Sequence, residues 1–66
     1  MVVEIIGLYG MSDREKGYYR KTNTSYEFVA HKSRATVLTK EQAEVIMANK
    51  EAYLKKYQAR DIRVIT

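Results

Sequence analysis

Catalysis needs a nucleophile, a base and a group that orients them, and this chain has little to supply them. Its one histidine is His31. Ser33 lies two residues on, but nothing resembles a nucleophile elbow, and His31-Lys32-Ser33-Arg34 fits a polar surface connection, one helical turn at most. The chain has no cysteine, which removes thiolate metal sites and disulfides together. Asp13, Glu15, Glu41, Glu44 and Glu51 match no calcium-loop spacing. Gly7, Gly10 and Gly17 make neither a dinucleotide fingerprint nor a phosphate loop. The expectation is a chain that is not an enzyme, with no catalytic residue, no metal and no cofactor.

Binding chemistry is better represented. Tyr18, Tyr19, Arg20 and Lys21 follow one another, and Lys32 and Arg34 come a little later. Aromatic rings interleaved with Lys and Arg on a sheet can stack on bases and neutralise phosphates, which is how single-stranded nucleic acid is held. Adjacent residues of a strand point to opposite faces, so one of Tyr18 and Tyr19 is available to a ligand while the other belongs to the core. No zinc finger, helix-turn-helix or RNP motif accompanies them.

A protein partner is the competing class. Met11 is an apolar, adaptable side chain in the charged loop 10–17, beside Arg14 and Lys16, and suits a contact surface. Val45, Ala48 and Ala52 fall together on the back of the helix expected over residues 39–57, a strip against which a partner can pack. At 66 residues the chain is a single domain near the lower limit for folding unaided, and a homodimer is one way of adding buried surface.

The net charge of +4 is compatible with an acidic or nucleic-acid partner and excludes an acidic mimic of DNA. No apolar run reaches the ~18 residues that a membrane span needs. Met1-Val2-Val3-Glu4-Ile5-Ile6 is too short and too acidic for a signal segment. These readings place the protein in the cytoplasm with no membrane partner.

The elements that must position these residues are legible in outline. Val2 to Tyr9 reads as a strand, apolar on both faces and hence flanked and covered on both, with Val3, Ile5 and Tyr9 on one side and Val2, Glu4, Ile6 and Leu8 on the other. Gly7 within it marks a bulge or a close approach. Residues 18–21 and 26–29 flank Thr22-Asn23-Thr24-Ser25 as a hairpin, with Tyr26 and Phe28 inward. Ala35 to Leu38 reads as a short strand. Thr39 and Gln42 then form a capping box that opens the main helix, with Leu38 and Ala43 as a staple. Ala43, Ile46, Met47, Leu54 and Tyr57 make its core stripe, Tyr53 sits at the edge, and Lys50 interrupts it. The spacing predicts a bend near Asn49-Lys50, since asparagine is a mediocre helix residue. Ile62 and Val64 turn inward from a closing strand. The class is α+β: a small, mostly antiparallel sheet in the order β-β-β-β-α-β with one helix on one face.

Gly17-Tyr18-Tyr19-Arg20-Lys21, Tyr26-Glu27-Phe28, Arg34-Ala35-Thr36-Val37-Leu38-Thr39 and Glu41-Gln42-Ala43-Glu44, with Ile62 to Ile65, form a pattern of hairpin, short strand and capped helix. It resembles small phage and prophage accessory proteins of Gram-positive bacteria. The resemblance implies a non-enzymatic protein that binds, and modulates or inhibits, a host or defence protein. It carries over no functional residue. Single-stranded nucleic-acid or RNA binding is the alternative within the same class.

Overall fold

The computed structural model describes residues 1–65. Four antiparallel strands lie in the order β3-β2-β1-β4, formed by β1 (Val2–Ile6), β2 (Lys16–Lys21), β3 (Tyr26–Val29) and β4 (Asp61–Ile65). Two helices, α1 (Lys40–Ala48) and α2 (Lys50–Tyr57), intervene before β4. The fold is α+β as expected, but the order is β-β-β-α-α-β. β1 is central, and its five residues are all buried, which explains why its sequence is apolar on both faces.

The register assigns the two faces. Val3 sits beside Val64, Ile5 lies between Ile62 and Gly17, and Tyr19 pairs with Phe28. These residues share the face on which Leu38, Ala43 and Ile46 complete the core, with Met47, Tyr53, Leu54 and Tyr57 packed around it. Ile62 is buried as expected, but Val64 is 37% exposed, because it lies toward the open end of an edge strand.

β1 ends at Ile6, three residues short of the expected Tyr9. Gly7 adopts the left-handed conformation at φ 71° and opens a 3-10 turn over Leu8–Gly10. An added Cβ at Gly7 would stand 2.8 Å from Arg60 Cγ, so glycine is needed there for space as well as for its φ. The turn breaks the alternation. Leu8 joins the helix-side core, and Tyr9 is left exposed rather than beside Val3 and Ile5.

The helix opens as its sequence dictates. Gln42 N donates to Thr39 Oγ1 at 3.2 Å, and Thr39 N donates to Gln42 Oε1 at 3.0 Å. It is then interrupted at Asn49, whose backbone leaves helical geometry (φ −103°, ψ 20°) and whose Nδ2 donates back to Val45 O at 2.9 Å. That self-bonding is how asparagine competes with a helix. The expected single helix is thus two, and the bend swings Lys50 to an ion pair with Asp61, 2.9 Å long. α2 closes on a left-handed Gln58, with Ala59 N reaching Leu54 O, the pattern of a Schellman end.

Residues 35–38 are not a ladder strand. β1 and β2 pair only from Glu4 to Ile6 and diverge toward Met1, and the segment Thr36–Leu38 fills the opening. Thr36 N donates to Tyr19 O at 3.0 Å, and Lys21 N to Thr36 Oγ1 at 2.7 Å. On the other side Met1 N donates to Leu38 O at 2.9 Å, and Leu38 N to Met1 O at 2.6 Å. A segment that bonds to two different strands through alternate residues satisfies its buried polar groups without belonging to either ladder.

Candidate binding surface

The connection from β3 to α1 crosses the sheet face opposite the helices. Its 3-10 turn, Lys32–Arg34, lies there because Lys32, Ser33 and Ala35 line a depression with Val2, and Val2 alternates with the core residue Val3. The chain passes through the gap between β1 and β2 at Thr36–Leu38 and emerges on the helix side. Leu38 drops into the core, only 4% exposed, whereas Val37 is held outward at 77% exposure. Among the described residues, no hydrogen bond reaches the Val37 backbone.

Two open depressions flank this ridge. One, of about 210 Å³, is lined by Tyr19, Lys21, Leu38, Gln42, Val45 and Ile46. The other, of about 530 Å³, is lined by Met1, Val2, Lys32, Ser33, Ala35 and Val37. Val45 is 64% exposed and Met1 40%, so among the described residues three large apolar side chains stand exposed at this end of the molecule. Burying a valine fully is worth about 1.5–2 kcal/mol, so covering Val37 and Val45 is a substantial gain for an interface of any size.

The residues singled out from sequence fall into three places. Val45 lines the first depression. Ala48 and Ala52 are exposed, but the break at Asn49 puts them on different helices. Met11, Arg14 and Lys16 are exposed as well, and they belong to the other end of the molecule, where Gly10 N bonds to Gln58 O and Arg60 Nη1 meets Asp13 at 3.0 Å. With 1.5 Å of rise per residue, Val45 and Gln58 are separated by about 20 Å along the helices.

The basic and aromatic set is likewise divided by alternation. Tyr19 and Lys21 are on the helix side, Tyr19 stacked on Tyr26 with centroids 5.3 Å apart and edge-on to Phe28. Tyr18 and Arg20 are on the opposite face, as is the turn that carries Lys32 and Arg34. On that face Glu4 is buried between its register partners Tyr18 and Arg63. Arg63 Nε donates to Glu4 Oε1 at 2.9 Å. Burial, and then the hydrogen bond to Glu4, push the Tyr18 hydroxyl above its ordinary pKa.

A second cluster lies between β3 and α2. Lys56 Nζ is 3.2 Å from Tyr26 Oη and stands over the Tyr26 and Tyr57 rings. Burial alone pushes Tyr26 up, but the hydrogen bonds from Tyr57 and Lys56 and the Lys56 charge outweigh it, and the Tyr26 phenol is lowered. Tyr57 is raised strongly, by burial first and by its bond to Tyr26. Sequence alone foresaw Tyr26 as a core residue but not this network.

Among the described residues no group of three or more His, Asp or Glu side chains is placed to hold a metal ion. No helix is long and apolar enough to cross a membrane. Comparison with known proteins finds no matching family model, no similar curated protein and no similar solved structure.

Sequence reasoning missed Val37 and Met1. Alternation with the apolar Leu38 turns Val37 away from the core, but no local pattern says that it stands uncovered.

Proposed function

We propose that this chain is a non-enzymatic protein-binding module whose partner covers the ridge at Val37. The observation that carries the reading is the exposure of Val37 at 77%, on a segment anchored on both sides by backbone hydrogen bonds. An exposed apolar side chain on a fixed support is preorganised for contact, and preorganisation lowers the entropic cost of association. Taken with the resemblance to phage-type accessory proteins, the partner is a host or defence protein, and binding modulates or inhibits it. The test is a photo-reactive benzoylphenylalanine at position 37, irradiated in the producing cell. A discrete protein adduct, missing when the same residue is placed at Ala52, supports the reading; adducts to nucleic acid alone, or none, refute it.

A second reading has its own observation. Tyr18, Arg20, Lys16 and Arg63 share the sheet face away from the helices, which is the arrangement a single strand of nucleic acid needs. Glu4, Glu27 and Asp61 share that face by the same register, and they weaken it. Anisotropy of labelled single-stranded DNA, RNA and duplex DNA at low and near-physiological salt separates the two. Phosphate contacts fall away steeply with salt, and binding that survives salt but drops on Tyr18→Ala favours nucleic acid.

A further inference from the structure

We propose that Tyr26 is a covalent-modification site, a phenolic oxygen that attacks small electrophiles of the sulfonyl class, with Lys56 and Tyr57 placed to make it react ahead of the other tyrosines. The inference stands apart from the ridge at Val37 and does not depend on what covers it.

The geometry holds one hydroxyl beside one cation. The Tyr26 ring is stacked on Tyr19, with centroids 5.3 Å apart, and meets Tyr53 edge-on at 5.5 Å. Neighbours on two sides fix the ring and with it the oxygen. Lys56 Nζ donates to that oxygen at 3.2 Å. The same ammonium stands 5.3 Å from the Tyr26 ring centroid and 5.5 Å from that of Tyr57. Attraction to both rings keeps the cation where the hydrogen bond needs it. The Tyr26 ring is half-buried, but its bond to Lys56 lies at the surface, so a small reagent can reach the oxygen.

The surroundings favour the phenolate. Burial opposes it, but the hydrogen bonds from Tyr57 and Lys56 and the Lys56 charge outweigh burial and lower Tyr26. Tyr57, as the donor, is raised and keeps its proton. Lys21 is the register partner of Tyr26 on β2, so it shares this face, whereas Glu27 alternates to the other. Among the described residues no carboxylate is within ion-pair distance of Lys56. Tyr18, Tyr19 and Tyr53 are raised, with burial as the first cause. A nucleophile is activated when its anion forms more readily, and that singles out Tyr26 among these rings.

The step is a displacement at sulfur. The Tyr26 oxygen bonds to the sulfonyl sulfur, the sulfur–fluorine bond breaks, and fluoride leaves with the electron pair. The phenolic proton goes to water. Negative charge passes from the phenolate to the sulfonyl oxygens and the departing fluoride, and the Lys56 ammonium lies beside that path. An ammonium has donors but no lone pair, so in its charged form Lys56 assists and does not compete.

Access alone names a different residue. Tyr9 is 59% exposed, and the other five tyrosines are half-buried. If exposure decided the reaction, Tyr9 would be modified first.

The experiment treats the full chain with limiting benzenesulfonyl fluoride at pH 8 and locates the adduct by peptide mass spectrometry at partial conversion. Tyr26 should be modified at least fivefold faster than Tyr9. Lys56→Met should slow Tyr26 at least fivefold and leave Tyr9 within twofold, with circular dichroism unchanged. Lys56→Arg, which keeps a cationic donor, should restore most of the rate, and Tyr57→Phe should slow it at least threefold. Modification of Tyr9 first, an adduct on Lys56 in place of Tyr26, no adduct at Tyr26, or a Tyr26 rate that is the same in Lys56→Met overturns the inference. None of these outcomes bears on the crosslink at position 37.

Discussion

Glu4 and Arg63 face each other across β1 and β4, joined by a 2.9 Å hydrogen bond, with the carboxylate side chain only 5% exposed and the guanidinium 53% exposed. The pair is therefore asymmetric: one partner is committed to the interior and the other has water. Removing the arginine strands a buried charge, whereas removing both charges leaves an apolar surface. Arg63→Leu should cost about 2 kcal/mol, below the 3–5 kcal/mol of a fully buried broken pair because water can enter beside it. Against a total of about 3–10 kcal/mol for a domain this size, that is a large fraction. Glu4→Leu combined with Arg63→Leu should recover most of the loss. Urea unfolding of the single and double variants measures the coupling, and a double variant no more stable than Arg63→Leu alone would contradict the account.

Gly17 illustrates a different constraint. It was legible as one end of a polar loop, but it lies inside β2, opposite Ile5. A Cβ there would stand 3.0 Å from Ile5 Cγ2, 3.0 Å from Phe28 Cβ and 3.1 Å from Leu8 Cδ1, three core neighbours with little room to give. Gly17→Ala should destabilise by about 1–3 kcal/mol, the range for overpacking a filled core. An equal or higher urea midpoint for the variant would show that the core yields there.

The sequence carried the fold wherever one rule acted locally. The Thr39–Gln42 box, the hairpin and the break at Asn49 each follow from a side chain bonding to nearby backbone or from simple alternation. The close approach expected at Gly7 is there, but the continuation of the strand past it to Tyr9 and the reading of residues 35–38 as a strand failed for a shared reason. Both read as continuous strand by hydropathy, and both are decided by where distant chain lies: Arg60 against Gly7, and the diverging ends of β1 and β2 around Thr36–Leu38. Of the candidate surface, Val45 was legible as an apolar residue on the helix back. Val37 was not, because its exposure depends on a gap between strands that no local pattern encodes.

The tyrosines give the chain an alkaline limit. Tyr18, Tyr19, Tyr53 and Tyr57 are all raised above the ordinary 10.0, burial being the first cause in each. A raised folded pKa means that the folded state keeps a proton the unfolded state has lost. Its contribution is complete below pH 10 and disappears as pH climbs through the folded values. Tyr26, being lowered, acts with the opposite sign and offsets part of this. Stability should be flat from pH 7 to 9 and fall above pH 10. Absorbance titration at phenolate wavelengths should show Tyr26 ionising early, and Lys56→Met should move that step upward. A midpoint in urea that holds constant to pH 11 would mean that the phenols are as solvated as free tyrosine.

Which end of the molecule meets its partner can be decided with three single substitutions. Val45 lines a depression beside Leu38, and Met11 lies in the loop that packs toward Gln58 and Arg60. Ala52 is exposed on α2, beyond the break at Asn49. All three side chains face solvent, so a charge at any of them should change stability by no more than about 0.5 kcal/mol. A difference in binding therefore reports contact rather than folding. If the ridge at Val37 is the contact, Val45→Glu should cut the yield of the position-37 crosslink at least fivefold. Met11→Glu and Ala52→Glu should leave it within twofold. The reverse pattern, loss on Met11→Glu with Val45→Glu silent, would move the interface to the loop of residues 10–16, beside Arg14 and Lys16.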